Sequence, residues 1–93
     1  MKLTRTNIAD AVGNMNHKIS TRKDTQITLI SCYNDEGKLQ RVIPVRKKLI
    51  HGMMLDFHSD GAIKTFTPYI RGRKHGVQVT QTNKYHKLQR RKQ

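Results

Sequence analysis

Residues 37–76 read GKLQRVIPVRKKLIHGMMLDFHSDGAIKTFTPYIRGRKHG, and a shift of 24 positions brings the second half of this stretch onto the first. The residues that coincide are Gly37 with Gly61, Pro44 with Pro68, His51 with His75, and Gly52 with Gly76. Glycine and proline constrain backbone geometry rather than packing. Their agreement in register therefore predicts one turn architecture used twice, as a 24-residue repeat.

Apolar and polar residues alternate between these turns, which is typical of half-buried strands. The alternation predicts an antiparallel β-meander of about five strands over residues 25–82. The apolar rows expected to form its core face are Ile27, Leu29 and Tyr33; Leu39, Ile43 and Val45; Met53, Leu55 and Phe57; Ile63 and Tyr69; and Val77 and Val79.

The opposite face of the predicted sheet also carries apolar residues, namely Val42, Met54, Phe66 and Ile70. An N-terminal helical segment over residues 1–21 is the expected cover for that face. Its apolar residues recur at helical spacing, with Thr6 as the N-cap: Ile8, Ala11, Val12, Met15 and Ile19. The expected fold is α+β, mainly β, in one domain spanning residues 1–93, with a basic tail over residues 83–93.

The segment Tyr69-Ile-Arg-Gly-Arg-Lys-His-Gly76 resembles the Tyr-x-x-Gly-x-x-His-Gly signature of MORN-like repeats. The aromatic-x-x-x-Gly segments at 33–37 and 57–61 resemble the turn that precedes this signature. The copy at 45–52 departs from it, with Val45 in place of the aromatic residue and Lys48 in place of the turn glycine. The resemblance covers residues 33–82 and implies an antiparallel meander of short hairpins that serves as a binding or scaffolding surface.

Charge is the strongest functional signal in the composition. The chain of 93 residues has 19 Lys and Arg against 6 Asp and Glu, for a net charge of +13, and only 34% of its residues are hydrophobic. All the acidic residues lie between Asp10 and Asp60, so the remainder of the chain adds basic residues alone. This balance excludes a multidomain enzyme and favours nucleic acid or another acidic partner.

The meander predicts how these charges are arranged. Successive antiparallel strands reverse direction, so alternate turns emerge at opposite ends of the strands. One end receives the acidic turns at 34–37 and 59–61. The other receives the basic rim, which we define as Arg22, Lys23, Arg46, Lys47, Lys48, Arg71, Arg73 and Lys74. With strands about 4.8 Å apart, the basic turns should repeat roughly every 10 Å, an arrangement suited to a phosphate backbone.

The basic tail extends this prediction. Its candidate binding residues are Lys84, Tyr85, Lys87, Arg90 and Arg91. Tyr85 lies among the cations, where it would stack on an unpaired base, or it is the aromatic residue of another turn. The expected partner is nucleic acid, bound through its phosphates with weak sequence preference. RNA is favoured slightly over DNA because the sequence shows no recognition helix.

Catalysis is not expected. Asp56, His58 and Lys64 could be imagined as a nuclease site, but no nucleophile, paired carboxylates or Walker-type loop accompanies them. Neither a metal site nor a cofactor is predicted. Cys32 is the only cysteine, which excludes an internal disulfide framework and fits a reducing compartment.

Three expectations concern partners and location. No apolar run reaches the roughly 20 residues needed to span a bilayer, and no secretory signal is visible, so a cytoplasmic protein without a membrane partner is expected. The open strand edges of a small meander favour a homodimer. The alternative function is a phage-type inhibitor or antitoxin-like protein that blocks a host defence or toxin protein, directly or through bound RNA. It would use an exposed apolar patch at Leu49, Ile50, Met53 and Met54.

Overall fold

The chain forms one short helix and one antiparallel sheet in the computed structural model, which describes residues 5–76 and 79–80. The elements are α1 Ile8–Val12, β1 Asn16–Arg22, β2 Ile27–Tyr33, β3 Leu39–Arg46, β4 Leu49–Ile50, β5 Gly52–Phe57, β6 Ile63–Ile70, β7 Arg73–Lys74 and β8 Val79–Thr80. The strand order is β1-β2-β3-β5-β6-β7, with β4 paired to β3 and β8 paired to β6. The expectation of a mainly β fold is confirmed.

The sheet has eight strands where the sequence predicted about five, partly because two long strands are each interrupted at a His-Gly pair. The backbone N–H of His51 donates to the carbonyl of Pro44 at 2.9 Å, between β4 and β5. The N–H of His75 donates in the same way to Pro68 at 2.8 Å, after β7. The glycine that follows each histidine has a positive φ, 117° in the first case and 78° in the second. One backbone irregularity thus occurs twice, 24 residues apart.

Strand register repeats with the same offset. Thr28 pairs with Val45 in β2 and β3, and Gly52 pairs with Tyr69 in β5 and β6. The first pairing shifts register between Cys32 and the next residue, and the second pairing shifts it 24 residues later, after Asp56. The hairpin turns, the irregularities and the pairing therefore follow a single 24-residue plan.

The plan begins earlier in the chain than the sequence indicated. Gly13 lies 24 residues before Gly37 and also has a positive φ, of 59°. His17 pairs with Cys32 across β1 and β2, as Arg41 pairs with Asp56 one repeat later. The strand β1 is thus the first strand of an additional unit, whose loop at 23–26 contains neither the proline nor the His-Gly pair.

The expected helical segment over residues 1–21 is therefore wrong beyond Val12. The helix ends where Gly13 takes a left-handed conformation and donates its N–H to Ala9 O at 2.9 Å. Ile19, expected on the helix, lies in β1 with 63% of its surface exposed. Thr6 is not the N-cap, because Asn7 occupies that position. The Thr6 hydroxyl instead donates to the Tyr69 hydroxyl at 3.3 Å.

The core lies between residues 8–15 and one side of the sheet, which we call the covered face. Its strand residues are Ile30, Cys32, Ile43, Val45, Ile50, Met54, Thr65, Thr67 and Tyr69, all buried. Ala11 is buried against them, and Ile8, Val12 and Met15 pack around it. The N-terminal segment therefore covers the sheet as expected, with a shorter helix.

The other side, the open face, carries half of the apolar rows that were expected in the core. Directly opposed residues share a face. Leu29 pairs with Pro44, Val42 with Leu55, Leu55 with Phe66, Met53 with Pro68, and Phe66 with Val79. The expected core rows of β2 and β5 are thus on the open face, while the buried residues of β3 are on the covered face. Within residues 5–76 and 79–80, no helix or strand packs on the open face.

Candidate nucleic-acid interface

The structure places the eight residues of the basic rim at one end of the strands. The loop at 23–26 and the turns at 47–48 and 71–72 follow β1, β3 and β6, which run in the same direction. The acidic turns at 34–38 and 58–62 lie at the opposite strand ends. All eight rim residues are exposed. The geometry thus brings together every described residue that the sequence assigned to binding; Lys84, Tyr85, Lys87, Arg90 and Arg91 lie outside the described residues.

Two of the rim turns are tight hairpins of type I′. Lys47 and Lys48 have φ values of 51° and 68°, between the paired residues Arg46 and Leu49. Such turns usually contain Asn-Gly, because both central residues need a positive φ. A left-handed conformation costs a residue with a Cβ roughly 1–2 kcal/mol. The chain therefore keeps two lysines where a more stable turn sequence exists.

The turn at 71–72 is anchored to its surroundings by three backbone groups. The N–H of Gly72 donates to Ile50 O at 2.7 Å, and the N–H of Arg71 donates to His51 Nδ1 at 3.2 Å. The carbonyl of Gly72 accepts from the N–H of Thr6 at 2.7 Å. These contacts fix the third basic turn against the second repeat and against the N-terminal segment.

Arg5 joins the rim, although sequence reasoning did not assign it there. A Cβ built on Gly72 would lie 3.2 Å from Arg5 Cγ, so the arginine side chain runs directly beside the turn. Glycine at this position leaves space for it. Nothing local in the sequence signals this contact, since it depends on the path that residues 5–7 take across the sheet.

Carboxylates leave most of the rim unneutralised. Arg22 Nε lies 3.6 Å from Asp24 Oδ1, and both side chains are more than two-thirds exposed. An ion pair this exposed contributes little energy and is screened by salt. Within the described part of the chain, no carboxylate lies within salt-bridge distance of the other seven rim residues. The rim is consequently a concentration of positive charge with one carboxylate at its margin.

A second polar feature is an open groove of about 650 Å³ between the N-terminal segment and the covered face. Its wall contains an ion pair in which Arg41 Nε lies 2.6 Å from Asp56 Oδ1. Arg41 Nη1 also donates to the carbonyl of Ala11 at 2.8 Å. The pair therefore holds the N-terminal segment over the sheet, and Asp56 is engaged by arginine rather than by His58 and Lys64.

Residues that could support other chemistry are few. Among residues 5–76 and 79–80, no group of three or more His, Cys, Asp and Glu side chains could hold a metal ion. Cys32 is fully buried and unpaired. Burial raises the pKa of its thiol above 9.0, partly opposed by the nearby Arg41 charge. A buried thiol of raised pKa is a poor nucleophile.

The apolar patch expected for a protein-binding inhibitor is mostly not a surface. Ile50 is completely buried and Met54 is 5% exposed, because the break at His51 directs both toward the covered face. Leu49 is half-buried. Met53 alone is widely exposed, at 51%. In the part of the chain with described structure, no helix has the length and apolar character required to cross a membrane.

Comparison with protein-family models, curated proteins and solved structures found no match. The resemblance to MORN-like repeats therefore rests on the motif residues and stays a prediction.

Proposed function

We propose that the protein binds nucleic acid through the basic rim, without catalysis, and that RNA is its preferred ligand. The supporting observation is the placement of eight exposed basic residues from three separate turns at the same strand ends. With about two strands between successive turns, the cationic groups recur roughly every 10 Å. Such a row suits the phosphates of an extended strand, and it supplies affinity with little sequence preference.

Backbone strain in the rim is a second, independent support. Three of the four non-glycine residues with a positive φ are Lys47, Lys48 and Arg71. Strained residues often occur at functional sites, where stability is exchanged for the required side chain. Retention of cations at these positions favours a role for their charge.

The test is a charge reversal with a matched control. One variant carries Arg46→Glu, Lys47→Glu and Arg73→Glu; the control carries Lys18→Glu, Lys38→Glu and Lys64→Glu. All six residues are exposed, and both variants change the net charge equally. If about five phosphates are contacted, the logarithm of affinity for single-stranded RNA should fall with log salt at a slope near −3.5.

We expect the rim variant to make that slope shallower by about 2 and to lose most of its affinity at low salt, because three contacts are removed. The control should change affinity much less. Equal losses in the two variants would show that net charge alone attracts RNA, and the rim assignment would be wrong.

We also propose that the protein works as a homodimer in the reducing cytoplasm. All seven residues of β1 are exposed, and no described strand pairs with its outer edge. Antiparallel pairing of two β1 strands centred on Ile19 would place Lys18 opposite Ser20 of the second copy, so no two cations would face each other. Sedimentation should detect a dimer that Ile19→Lys converts to a monomer; a wild-type monomer would exclude this assembly.

A further inference from the structure

The arginines of the basic rim share one side of the sheet. Arg22 is paired with Ile27, Arg46 with Leu49, and Arg73 with Ile70. Alternation along each strand places these three arginines on the open face, the side opposite the covered residues Ile30, Val45 and Tyr69. The open face is therefore bordered by a row of guanidinium groups at the rim.

An apolar platform lies directly beside this row, on β5, β6 and β8. We define it as Met53, Phe66, Pro68, Ile70 and Val79. The exposed fractions of Met53, Ile70 and Val79 are 51%, 43% and 48%. Phe66 lies at the centre, opposed by Leu55 on one side and Val79 on the other. From Ile70 to Phe66 the platform extends about 13 Å along β6.

Such a surface is unusual on a chain that is only 34% hydrophobic and carries a net charge of +13. An isolated exposed apolar side chain needs no explanation, but a contiguous group beside a charged row marks a binding surface. The complementary ligand must combine negative charge with flat, weakly polar groups. A second copy of this strongly cationic chain does not have that character.

We infer that the open face binds the bases of single-stranded RNA, which stack on the platform while their phosphates contact Arg22, Arg46 and Arg73. Unpaired bases present free π-faces, whereas a duplex already buries its base faces by internal stacking. The platform offers nothing to a duplex beyond the charge of the rim. The inference rests on the proposed function and adds to it a strand preference and a base-binding surface.

Trp fluorescence provides a direct test, because the chain contains no tryptophan. Met53→Trp puts a single indole on the platform. The matched control is Ile19→Trp, at a residue that is 63% exposed on β1 and paired with Ile30 of the covered face. Binding of a labelled octauridylate is measured by anisotropy for both full-length variants, and the indole emission is then followed during titration with unlabelled octauridylate.

We expect both variants to bind octauridylate, with quenching and loss of indole emission in Met53→Trp only. Double-stranded RNA of equal charge should bind more weakly and leave the emission unchanged. As a second measurement, Phe66→Leu should lower affinity for octauridylate about tenfold and for the duplex hardly at all, since it removes one stacking surface. Circular dichroism of each variant checks that the sheet is retained.

Binding of octauridylate without selective quenching of Met53→Trp would overturn the platform and leave the basic rim intact. Equal quenching by the duplex would overturn the single-strand preference. Absence of RNA binding in the wild type would instead remove the proposed function itself. A blue shift of the Met53→Trp emission with vesicles of anionic phospholipid, and none with RNA, would identify the open face as lipid-binding and contradict the inference.

Discussion

The backbone N–H of Arg71 lies 3.2 Å from Nδ1 of His51, so a histidine in one repeat holds the rim turn of the next. His51 occupies the interruption between β4 and β5, where its own N–H is bound to Pro44. The irregularity that splits the strand therefore also presents a side-chain acceptor to the neighbouring turn. This contact joins the second and third basic turns into one surface of defined spacing.

Removing that acceptor should weaken both the fold and the binding surface. We expect His51→Ala to lower the free energy of unfolding by about 1 kcal/mol, the usual contribution of a hydrogen bond. His51→Asn should retain most of the stability, because the amide oxygen can accept from Arg71. His75→Ala, at the equivalent exposed position one repeat later, is the control. Urea unfolding followed by circular dichroism measures all three, and equal losses for His51→Ala and His75→Ala would contradict this role.

The strained lysine turn predicts opposite changes in stability and affinity. Lys47→Asn combined with Lys48→Gly supplies the favoured type I′ sequence and should stabilise the protein by about 1–2 kcal/mol. The melting temperature should then rise by roughly 4–8 °C for each kcal/mol. Affinity for single-stranded RNA should fall, since two cations are lost.

Arg71→Asn is the companion variant, because Gly72 already follows it and the change creates the same Asn-Gly turn. It should stabilise the fold and reduce RNA binding in the same way. A destabilised Lys47→Asn, Lys48→Gly variant would show that the lysines make contacts important to the fold, and that strain at this turn is not a sign of function.

The pair of Arg41 and Asp56 should secure the N-terminal segment. Asp56→Ala leaves the mostly buried guanidinium without its carboxylate, and we expect a loss of about 1–3 kcal/mol. The double variant Arg41→Met with Asp56→Leu should be more stable than Asp56→Ala, because no uncompensated charge remains. Thermal unfolding of the single and double variants gives the coupling energy. Additive effects would mean that the two side chains do not interact.

Stability should decline in alkaline solution because of Cys32. Burial raises the pKa of this thiol above 9.0 in the folded state, so the unfolded chain loses the proton first. The contribution is complete below pH 9.0 and is lost as the pH rises through the folded pKa. Cys32→Val keeps an apolar side chain and removes the titration. The free energy of unfolding above pH 9 should therefore fall less steeply in Cys32→Val than in the wild type; identical slopes would contradict the prediction.

The turns and the strand ends that they share could be inferred from local sequence. Gly37 and Gly61 indicate where the chain reverses, and Pro44 and Pro68 indicate where the ladder is interrupted. Antiparallel neighbours must place alternate turns at opposite ends, so the clustering of basic residues followed from chain connectivity. The additional unit that starts at Gly13 was missed because helical spacing in residues 8–19 was a competing signal.

Which face became the core could not be inferred from the alternating pattern. Ile30 is buried and Leu29 lies on the open face because register and bulges, rather than hydrophobicity alone, decide which residues stand opposite Ile43 and Met54. The N-terminal segment then chose one face by packing Ala11 on it and by bonding to Arg41. Local backbone preferences thus determined the turns and their charges, whereas contacts between distant segments decided which apolar surface was left for a ligand.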